Sequence, residues 1–374
     1  MQVEFPLNAS GEIGFLNEGF WGMNVQPQKY NASFYLLANG PFDAANLTTV
    51  NVSLRSNLTE DIWVSQSIKV RDAISDMTYA HLQAELSPEV TAPNSNNSFA
   101  ITFNGTEVAG KTLYCSLISL IPETYNDRPN GMRKDLAEHI KNLNPRFLRF
   151  PGGNNLEGVS ISTRWQWNQT IGPLMNRPGR PGNWEYYNTD GFGLLEYLEW
   201  TDDMQLERVL GIYAGYSLAV SGAEGSSYPQ EAMPEILQSA LDELEYCMGD
   251  SSTFYGALRA KHGHPEPFSI NLLEIGNEDF FSSTYPSRFQ YLLDGIKERY
   301  PDMTFISTAL DENEDYTIAI PPGNNYDFHP YREPSFFLES FDTFDNWQAA
   351  KNLTDVTISV LEYSVVQVDE PTGG

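Results

Sequence analysis

The segment FSINLLEIGNEDFF, residues 268–281, is the stretch that decides the fold. Residues 270–275 form a short apolar run with the character of a buried strand. The run stops at a glycine and is followed at once by Asn277, Glu278 and Asp279. A buried strand that ends on an amide and two carboxylates is typical of parallel α/β folds, in which functional side chains collect at the C-terminal ends of strands.

Helical and strand-like segments alternate along the whole region from residue 130 to residue 364. Helices are predicted at 133–143, 191–204, 234–248, 287–300 and 340–353. Strands are predicted at 146–150, 207–215, 270–278, 304–310, 326–331 and 356–364. This alternation predicts a parallel α/β barrel or a doubly wound sheet.

Polar side chains end the predicted strands, which favours the (β/α)₈ barrel because its catalytic residues lie at the C-terminal strand ends. The residues concerned are Arg149, Tyr213, Glu278, Asp311, His329 with Tyr331, and Glu362 with Tyr363. We therefore predict a TIM-type barrel domain over residues 123–374.

The first 122 residues have a different texture, with strand-length segments of period two separated by Asn, Gly, Pro and Ser. Short strands with frequent turns predict an antiparallel β-sandwich module over residues 1–122. We expect most of its aromatic side chains to lie in the core, although an exposed ring could instead stack on a sugar. The aromatic residues in question are Trp21, Tyr30, Phe34, Tyr35 and Trp63.

The chain carries a formal net charge of −28 over 374 residues. This charge argues against nucleic acid and against an anionic membrane surface as partners, because both require a cationic face. It is compatible with a neutral polymer such as a polysaccharide, and equally with a simple role in solubility. The sequence contains no apolar run of the roughly 18–20 residues that a transmembrane helix needs. We expect neither a cofactor nor a metal.

Nine Asn-x-Ser/Thr sequons occur in the chain, which predicts an extracellular, N-glycosylated protein. They begin at Asn8, Asn31, Asn46, Asn51, Asn57, Asn96, Asn104, Asn168 and Asn352. The first twelve residues lack the basic start and apolar core of a signal peptide, and this mismatch predicts that the sequence is a fragment. Cys115 and Cys247 lie within apolar patterns, which favours two buried thiols over a disulfide.

Glu278 and Glu362 each follow an apolar strand, and several helix–strand units separate them. If both point into one cleft, they form the pair of acids that glycoside hydrolysis requires. One acid protonates the leaving oxygen, and the other attacks the anomeric carbon or activates a water. Asn277 could then bind the sugar hydroxyl beside the reacting carbon. The alternative is that Glu278 is a surface carboxylate that caps the helix after it.

Four motifs in the second part of the chain, and one in the sandwich segment, together resemble the fungal branch of glycoside hydrolase family 51. They are FLRFPGGNNLEG at 147–158, TIGPLMNRPGRPGNWEYYNTDGFGLLEYLEW at 170–200, EIGNED at 274–279, DFHPYREPSFF at 327–337 and GFWGMNVQPQKYNASFY at 19–35. The likeness covers most of the chain. It implies an α-L-arabinofuranosidase with a clan A (β/α)₈ barrel.

The resemblance implies roles for particular positions. Glu278 resembles the acid/base after strand four, and Glu362 in LEYS resembles the nucleophile after strand seven. The family usually has Gly-Glu-Tyr at the second of these positions, whereas this chain has Leu361 before the glutamate. Arg149 resembles the strand-two arginine that holds the nucleophile ionised, since a nearby cation favours the charged form of a carboxylate.

Four further residues resemble groups that surround the substrate in this family. Asn154 and Trp184 resemble residues that line the arabinose subsite. His329 and Tyr331 resemble the His-x-Tyr pair of strand six, which borders both carboxylates. The alternative for each of them is ordinary packing in the barrel core.

The chain as given departs from the family at both ends. The resemblance implies a first barrel strand before the sandwich and an eighth strand after Glu362, and neither has a counterpart in the sequence. We therefore expect an incomplete barrel with strands two to seven. Its open parallel sheet should have RFLRF at 146–150 and TISVLEY at 357–363 as edges, and we expect little activity and poor solubility.

The main interpretation is a retaining, exo-acting enzyme that releases terminal α-L-arabinofuranosyl residues from arabinan, arabinoxylan or arabinogalactan. Its partner would be plant cell-wall polysaccharide or an arabino-oligosaccharide. A second interpretation is another clan A retaining glycosidase, which the Asn-Glu pair after strand four would serve equally. A third is an inactive, truncated chain that at most binds carbohydrate through its sandwich.

Overall fold

A computed structural model describes residues 1–39, 43, 47–70, 78–218, 225–310 and 316–366. The chain divides into two compact units, Met1–His139 and Ile140–Gly374. The division falls inside the helix Lys134–Asn142, and the domain boundary placed after residue 122 stays a prediction.

The first unit contains two four-stranded antiparallel sheets, as its period-two pattern predicts. The strands are β1 (Gln2–Glu4), β2 (Glu12–Asn17), β3 (Tyr30–Ala38), β4 (Thr49–Ser56), β5 (Ile62–Lys69), β6 (Ala80–Leu86), β7 (Asn97–Asn104) and β8 (Thr112–Pro122). One sheet has the order β1-β8-β3-β6 and the other β2-β7-β4-β5. A short helix, Gly105–Val108, lies between β7 and β8. The predicted β-sandwich is confirmed.

Strand β3 shows why these segments are strands, because its side chains alternate between the core and the opposite face. Tyr30 and Phe34 lie in a core to which both sheets contribute, as expected for a sandwich. Tyr35 and Trp63 are half-buried. Trp21 is an exception to the expectation that most of these residues lie in the core, since it is 89% exposed. It lies in the irregular connection between β2 and β3 at a positive φ of 60°, so strand alternation does not turn it inward.

The second unit is built on a six-stranded parallel sheet. Its strands are β9 (Phe147–Phe150), β10 (Glu207–Ile212), β11 (Leu272–Ile275), β12 (Thr304–Ser307), β13 (Asn324–Asp327) and β14 (Val356–Ser359). They lie side by side in chain order, so that β9 and β14 are the edges among the described strands. The prediction of six parallel strands with RFLRF and TISVLEY at the edges is confirmed for the described residues, although β14 ends at Ser359, within TISVLEY.

Helices connect these strands, mostly where the sequence is amphipathic. The longer ones are Lys134–Asn142, Leu194–Met204, Met233–Met248, Phe254–Lys261 and Tyr285–Arg299, and the shorter ones are Asn154–Glu157, Pro334–Glu339 and Trp347–Ala350. Single 3₁₀ turns lie at Tyr125–Asp127, Ile161–Thr163, Trp167–Gln169, Leu174–Asn176, Gln230–Ala232 and Asp279–Phe281. Pairs of two-residue strands join Arg180–Pro181 to Tyr187–Asn188, Tyr216–Ser217 to Ser226–Ser227, and Tyr331–Arg332 to Ser364–Val365.

The helix predicted at 340–353 is wrong over most of its length. The structure has a helix at Pro334–Glu339, then turns, and then a single helical turn at Trp347–Ala350. Pro334 favours a helix start because its φ is already helical and its missing N–H would have had no partner in the first turn. The turns coincide with the sequence SFDTFDN, whose Ser, Thr, Asp and Asn side chains compete for backbone hydrogen bonds.

The inner strands of the parallel sheet are buried on both faces, as their apolar character requires, whereas the edge strands β9 and β14 are partly exposed. Leu273 and Ile275 in β11 and Phe305 in β12 lie in one hydrophobic core together with residues of the surrounding helices. Cys247 belongs to the same core, and Cys115 to the core of the sandwich. Both are unpaired buried thiols, which confirms the expectation from the sequence.

Candidate active site

Most of the predicted site residues meet around one cavity of about 950 Å³ in the second unit. Six of the eight predicted site residues line this cavity: Arg149, Asn154, Trp184, Glu278, Tyr331 and Glu362. The other two, Asn277 and His329, are buried beneath the lining, with 1% and 9% of their surfaces exposed. They contact Arg149 and Glu278 respectively. The structure therefore brings all eight residues together.

Arg149, in β9, is the buried cation around which the site is organised. Its Nε and Nη2 donate to the two oxygens of Glu274 in β11, at 2.5 and 2.7 Å. Its Nη1 donates to Oε1 of Glu362 at 2.5 Å, and Nη2 also donates to Oδ1 of Asn277 at 2.7 Å. The arginine side chain is only 7% exposed, so these charged hydrogen bonds act in a medium of low dielectric. The expected contact between Arg149 and Glu362 is present.

Glu362 follows the edge strand β14 and is held through both of its oxygens. Oε1 accepts from Arg149, and Oε2 accepts from the hydroxyl of Tyr331 at 2.8 Å. The backbone N–H of Leu361 donates to Oδ1 of Asp327 at 2.9 Å, so the backbone just before the glutamate is fixed as well. The Leu361 side chain has room, because it lines the open cavity.

Gly153 gives the Glu362 carboxylate its space. Its φ is 57°, in the left-handed region that residues other than glycine seldom adopt. A Cβ atom at this position would lie 2.9 Å from Oε1 of Glu362. Any side chain at the second glycine of the PGGNN motif would therefore crowd the Glu362 carboxylate.

Glu278 follows β11 in a left-handed backbone conformation, with φ 49° and ψ 24°. A non-glycine residue adopts this conformation at a cost of about 1 kcal/mol or more, which marks the position as constrained. Oε1 of Glu278 lies 3.1 Å from Nδ1 of His329. One carboxyl oxygen of Glu278 and one of Glu362 lie within 4.8 Å of each other. The two glutamates therefore share one cavity at close range.

Buried groups fix the turn that carries Glu278. Oδ1 of Asp279 accepts from the backbone N–H of Asn277 at 3.0 Å, and Oδ2 accepts from Arg288 at 2.7 Å. Glu278 precedes the 3₁₀ turn Asp279–Phe281, but its side chain makes no capping hydrogen bond to it. The alternative role of Glu278 as a helix cap is therefore wrong.

His329 connects the two glutamates to the buried Asp327. Its Nε2 lies 2.5 Å from Oδ2 of Asp327, and its Nδ1 faces Oε1 of Glu278 at 3.1 Å and Oε2 of Glu362 at 3.8 Å. Burial alone would lower the pKa of the imidazole, but hydrogen bonds to Asp327 and Glu278 outweigh burial and raise the pKa of His329 to about 10. The ring is therefore a cation at neutral pH and carries a hydrogen on both nitrogens.

Sequence patterns do not single out two acids at the centre of the site, Glu274 and Asp327, whose side chains are each 1% exposed. Burial raises the pKa of Glu274 to about 8, although Arg149 opposes the rise. Burial also favours the neutral form of Asp327, but the hydrogen bond from His329 outweighs it and lowers the Asp327 pKa. The sequence nevertheless offers one sign of Glu274, because an acid inside an apolar strand such as LLEI needs a buried partner.

The two asparagines of the site meet at a third buried acid, Glu157. Oδ1 of Asn277 accepts from Arg149, and its Nδ2 donates to Oε1 of Glu157 at 2.7 Å. Asn154 lines the cavity and donates through Nδ2 to the same Oε1 at 2.9 Å. The contact of Asn277 with a sugar hydroxyl stays a prediction.

Trp184 and three further strand-end residues lie at the edge of this arrangement or outside it. Trp184 is 68% exposed on the cavity wall. Tyr213 is buried, and its hydroxyl lies 3.1 Å from the hydroxyl of Ser217. Tyr363 is 69% exposed, and Asp311 lies outside the described residues.

Comparison with known proteins identifies the family. Residues 139–349 match the family model described as the Alpha-L-arabinofuranosidase 1 domain. The chain belongs to this α-L-arabinofuranosidase family. It is 38% identical over 349 residues to the probable alpha-L-arabinofuranosidase A of Aspergillus terreus, a match that covers 92% of the chain and 54% of that protein. It is 36% identical over 367 residues to alpha-L-arabinofuranosidase A of Aspergillus niger, covering 97% of the chain and 56% of that protein. The chain thus spans about half the length of the curated relatives it matches.

Solved α-L-arabinofuranosidases share the architecture. An arabinose-bound MgGH51 α-L-arabinofuranosidase superposes with a TM-score of 0.88 and 37% identity, over 98% of this chain and 56% of that one. The α-L-arabinofuranosidase of Thermotoga maritima, at a TM-score of 0.50 and 22% identity over 65% of this chain and 51% of that one, shares the fold. These likenesses support an N-terminal sandwich followed by a curled parallel sheet. Among the described helices, none is long and apolar enough to cross a membrane.

The acids of this α-L-arabinofuranosidase family member form a poor site for a metal ion. Glu274, Asp327 and His329 form one group with ligand atoms within 4.8 Å of one another, and Glu278, His329 and Glu362 form a second. The protonated imidazole of His329 has no lone pair to offer. Arg149 already occupies oxygens of Glu274 and Glu362, and both cations would repel a metal ion.

Proposed function

We propose that this chain carries the active site of a retaining, exo-acting α-L-arabinofuranosidase. The observation that carries the proposal is the pairing of Glu278 and Glu362, whose oxygens approach within 4.8 Å. Carboxyl groups about 5–5.5 Å apart are typical of retaining glycosidases, whereas inverting ones leave about 6.5–9.5 Å for a water molecule. An approach within 4.8 Å between one oxygen of each glutamate supports the closer of these two spacings. Arg149 binds Glu362 directly, which supports Glu362 as the nucleophile and Glu278 as the acid/base.

In the first step, Glu362 attacks the anomeric carbon of the arabinofuranosyl ring while Glu278, as a carboxylic acid, protonates the glycosidic oxygen. The bond from the anomeric carbon to that oxygen breaks, its electron pair stays with the protonated leaving group, and a covalent ester forms on Glu362. Arg149 and Tyr331 bind both oxygens of Glu362. They therefore present the carboxylate in one orientation, which supports attack from a fixed position.

In the second step, Glu278 as a carboxylate takes a proton from a water molecule, and the water oxygen attacks the anomeric carbon. The ester bond to Glu362 breaks, and two successive inversions leave the configuration retained. The cationic ring of His329 lies 3.1 Å from Oε1 of Glu278. It is placed to stabilise the carboxylate form that Glu278 needs as a base.

We propose a terminal arabinofuranosyl residue of a plant cell-wall polysaccharide, or of an arabino-oligosaccharide, as the substrate. The arabinose-bound relative supports a pentose in the corresponding cavity. Trp184 offers an exposed ring on the cavity wall for a sugar face, and Asn154 offers an amide. The cavity of about 950 Å³ has room for the sugar that carries the arabinose.

The curled parallel sheet is, in this proposal, part of a (β/α)₈ barrel of the TIM type. Side chains from the C-terminal ends of β9, β11, β13 and β14 converge on the site, which is the arrangement that such barrels use. The nine sequons support an extracellular, N-glycosylated protein.

Hydrolysis of 4-nitrophenyl α-L-arabinofuranoside tests the proposal, with 4-nitrophenyl β-D-xylopyranoside as the comparison for another retaining glycosidase. Because little activity is expected of the chain as given, the assay uses enough protein to detect slow turnover. We expect slow hydrolysis of the arabinofuranoside, with the α-anomer of arabinose as the first product seen by NMR. Preference for the xyloside, or a β-anomer as first product, would overturn it. So would the absence of both turnover and arabinose binding.

A further inference from the structure

Glu157 is a buried acid in direct contact with two predicted site residues. It ends the short helix Asn154–Glu157 and is 1% exposed. Its Oε1 accepts from Nδ2 of Asn154 at 2.9 Å and from Nδ2 of Asn277 at 2.7 Å. Its Oε2 is buried without a hydrogen-bond partner in the described part of the chain. Its backbone oxygen accepts from the hydroxyl of Ser217 at 2.6 Å, so the residue is anchored.

These contacts extend through the whole site. Asn277 connects Glu157 to Arg149, since its Nδ2 donates to Glu157 and its Oδ1 accepts from Arg149. Arg149 in turn donates to Glu362. A continuous series of hydrogen bonds therefore runs from Asn154 on the cavity wall, through Glu157, Asn277 and Arg149, to Glu362. Glu157 is the point where the cavity-facing part of the series joins the part that holds the carboxylate.

We propose that Glu157 is a positioning residue that acts as a neutral carboxylic acid and sets the orientation of both asparagine amides. The inference rests on the proposed function, and it adds a residue to which neither the family resemblance nor the comparisons give a role.

The orientation follows from the chemistry of the groups. The carbonyl oxygen of a neutral acid only accepts hydrogen bonds, so each asparagine must turn its NH₂ group towards Oε1 of Glu157. Asn277 then directs its Oδ1 to Arg149, where it accepts from Nη2. Asn154 lines the cavity and uses its Nδ2 on Glu157, which leaves its Oδ1 as the amide atom that can accept from a sugar hydroxyl.

The surroundings favour the neutral form of Glu157. A buried carboxylate with one unpaired oxygen is expensive, because the ion loses its hydration without full replacement. Burial raises the pKa of Glu157 to about 9, the hydrogen bonds from Asn277 and Asn154 oppose this rise, and the nearby Asp279 and Glu278 add to it. A neutral Glu157 also avoids a further negative charge beside the proposed acid/base.

The variants Glu157→Gln and Glu157→Leu separate this role from mere packing. Gln keeps an accepting carbonyl oxygen and no charge, whereas Leu has no acceptor. Glu243 is the matched control, since it is buried at 3% exposure, also has a raised pKa, and contacts neither asparagine. Its link to the cavity among the described residues is Trp165 of the cavity lining, which opposes the rise that burial causes in the Glu243 pKa. Glu243→Leu therefore reports the general cost of replacing a buried acid.

At pH 5–6 we expect Glu157→Gln to keep kcat and KM within about threefold of the parent chain. Glu157→Leu should lower kcat by about 10- to 100-fold, because misplaced catalytic groups cost that much, while Glu243→Leu should leave kcat unchanged. Equal losses in the Gln and Leu variants would overturn the neutral-acid role. Parent-like kcat in Glu157→Leu would overturn the positioning role.

Crystal structures of the two Glu157 variants provide a readout that does not need turnover. The Asn154 and Asn277 amides should keep their orientations in Glu157→Gln and rotate or lose order in Glu157→Leu. Unmoved amides in a folded Glu157→Leu variant would refute the inference even if the chain is an active arabinofuranosidase. Rotated amides in a chain that neither hydrolyses nor binds the arabinofuranoside would refute the proposed function alone.

Discussion

Glu243→Gln should make the protein more stable at neutral pH and leave its stability at acidic pH almost unchanged. Glu243 lies in the helix Met233–Met248, is 3% exposed, and has an Oε1 without a hydrogen-bond partner among the described residues. Burial raises its pKa from 4.5 to about 8. Gln has nearly the same shape as the protonated acid but cannot ionise.

The magnitude follows from these two pKa values. Between about pH 4.5 and pH 8 the folded protein retains a proton on Glu243 that the unfolded chain has released. The free energy of unfolding therefore falls as pH rises through this window, by at most about 1.4 kcal/mol per pH unit. From about pH 5 to about pH 7.5 the loss amounts to roughly 3 kcal/mol, which the Gln variant should not show.

Urea unfolding at the two pH values, followed by tryptophan fluorescence, measures the difference. The matched control is Glu235→Gln on the same helix, where the side chain is exposed and no change in pH dependence is expected. A stability gain of equal size at both pH values would refute the argument. So would a Glu243→Gln variant that is less stable than the parent chain at about pH 7.5.

Three further predictions concern the proposed reaction. Glu362→Ala should abolish turnover, and added azide should restore cleavage with an inverted glycosyl azide as the product, measured by NMR; retained configuration would contradict the nucleophile assignment. Glu278→Ala should spare aryl substrates with good leaving groups and lose polysaccharide cleavage, because only poor leaving groups need protonation; equal losses on both would contradict the acid role. Gly153→Ala should lower kcat by about 10-fold or more with little change in KM, since its Cβ would lie 2.9 Å from Oε1 of Glu362 at a φ of 57°. The control Gly11→Ala has a similar φ of 67° but nothing within 4 Å of its Cβ, and equal effects of the two substitutions would exclude the steric reason.

The sequence predicts the parts of this fold that depend on local pattern. The strand Leu272–Ile275 and the polar groups after it follow from an apolar run that ends at a glycine. The order of the six parallel strands follows from their alternation with helices. Trp21 shows the limit of such patterns, because two glycines near it remove the strand geometry that would have turned it inward.

Long-range pairing explains what the sequence does not predict in the site. The buried strand β11 can contain Glu274 because Arg149 of β9 donates to both of its oxygens. The two residues are far apart in sequence. Glu157 has no local signal, since its partner Asn277 follows another strand. The eight predicted site residues came mostly from family motifs, and motifs identify the residues at a site without giving the buried groups that hold them.

The ion pair between Arg149 and Glu362 has a mechanical consequence for the sheet. Arg149 belongs to the edge strand β9, and Glu362 follows the opposite edge strand β14. The two edge strands share no backbone ladder in the described residues, and this ion pair links them. In the proposed covalent intermediate Glu362 becomes a neutral ester, and the Arg149–Glu362 pair loses most of its Coulomb attraction. The carboxylate that is proposed to attack the sugar is therefore also the group that joins the two edges of the described sheet.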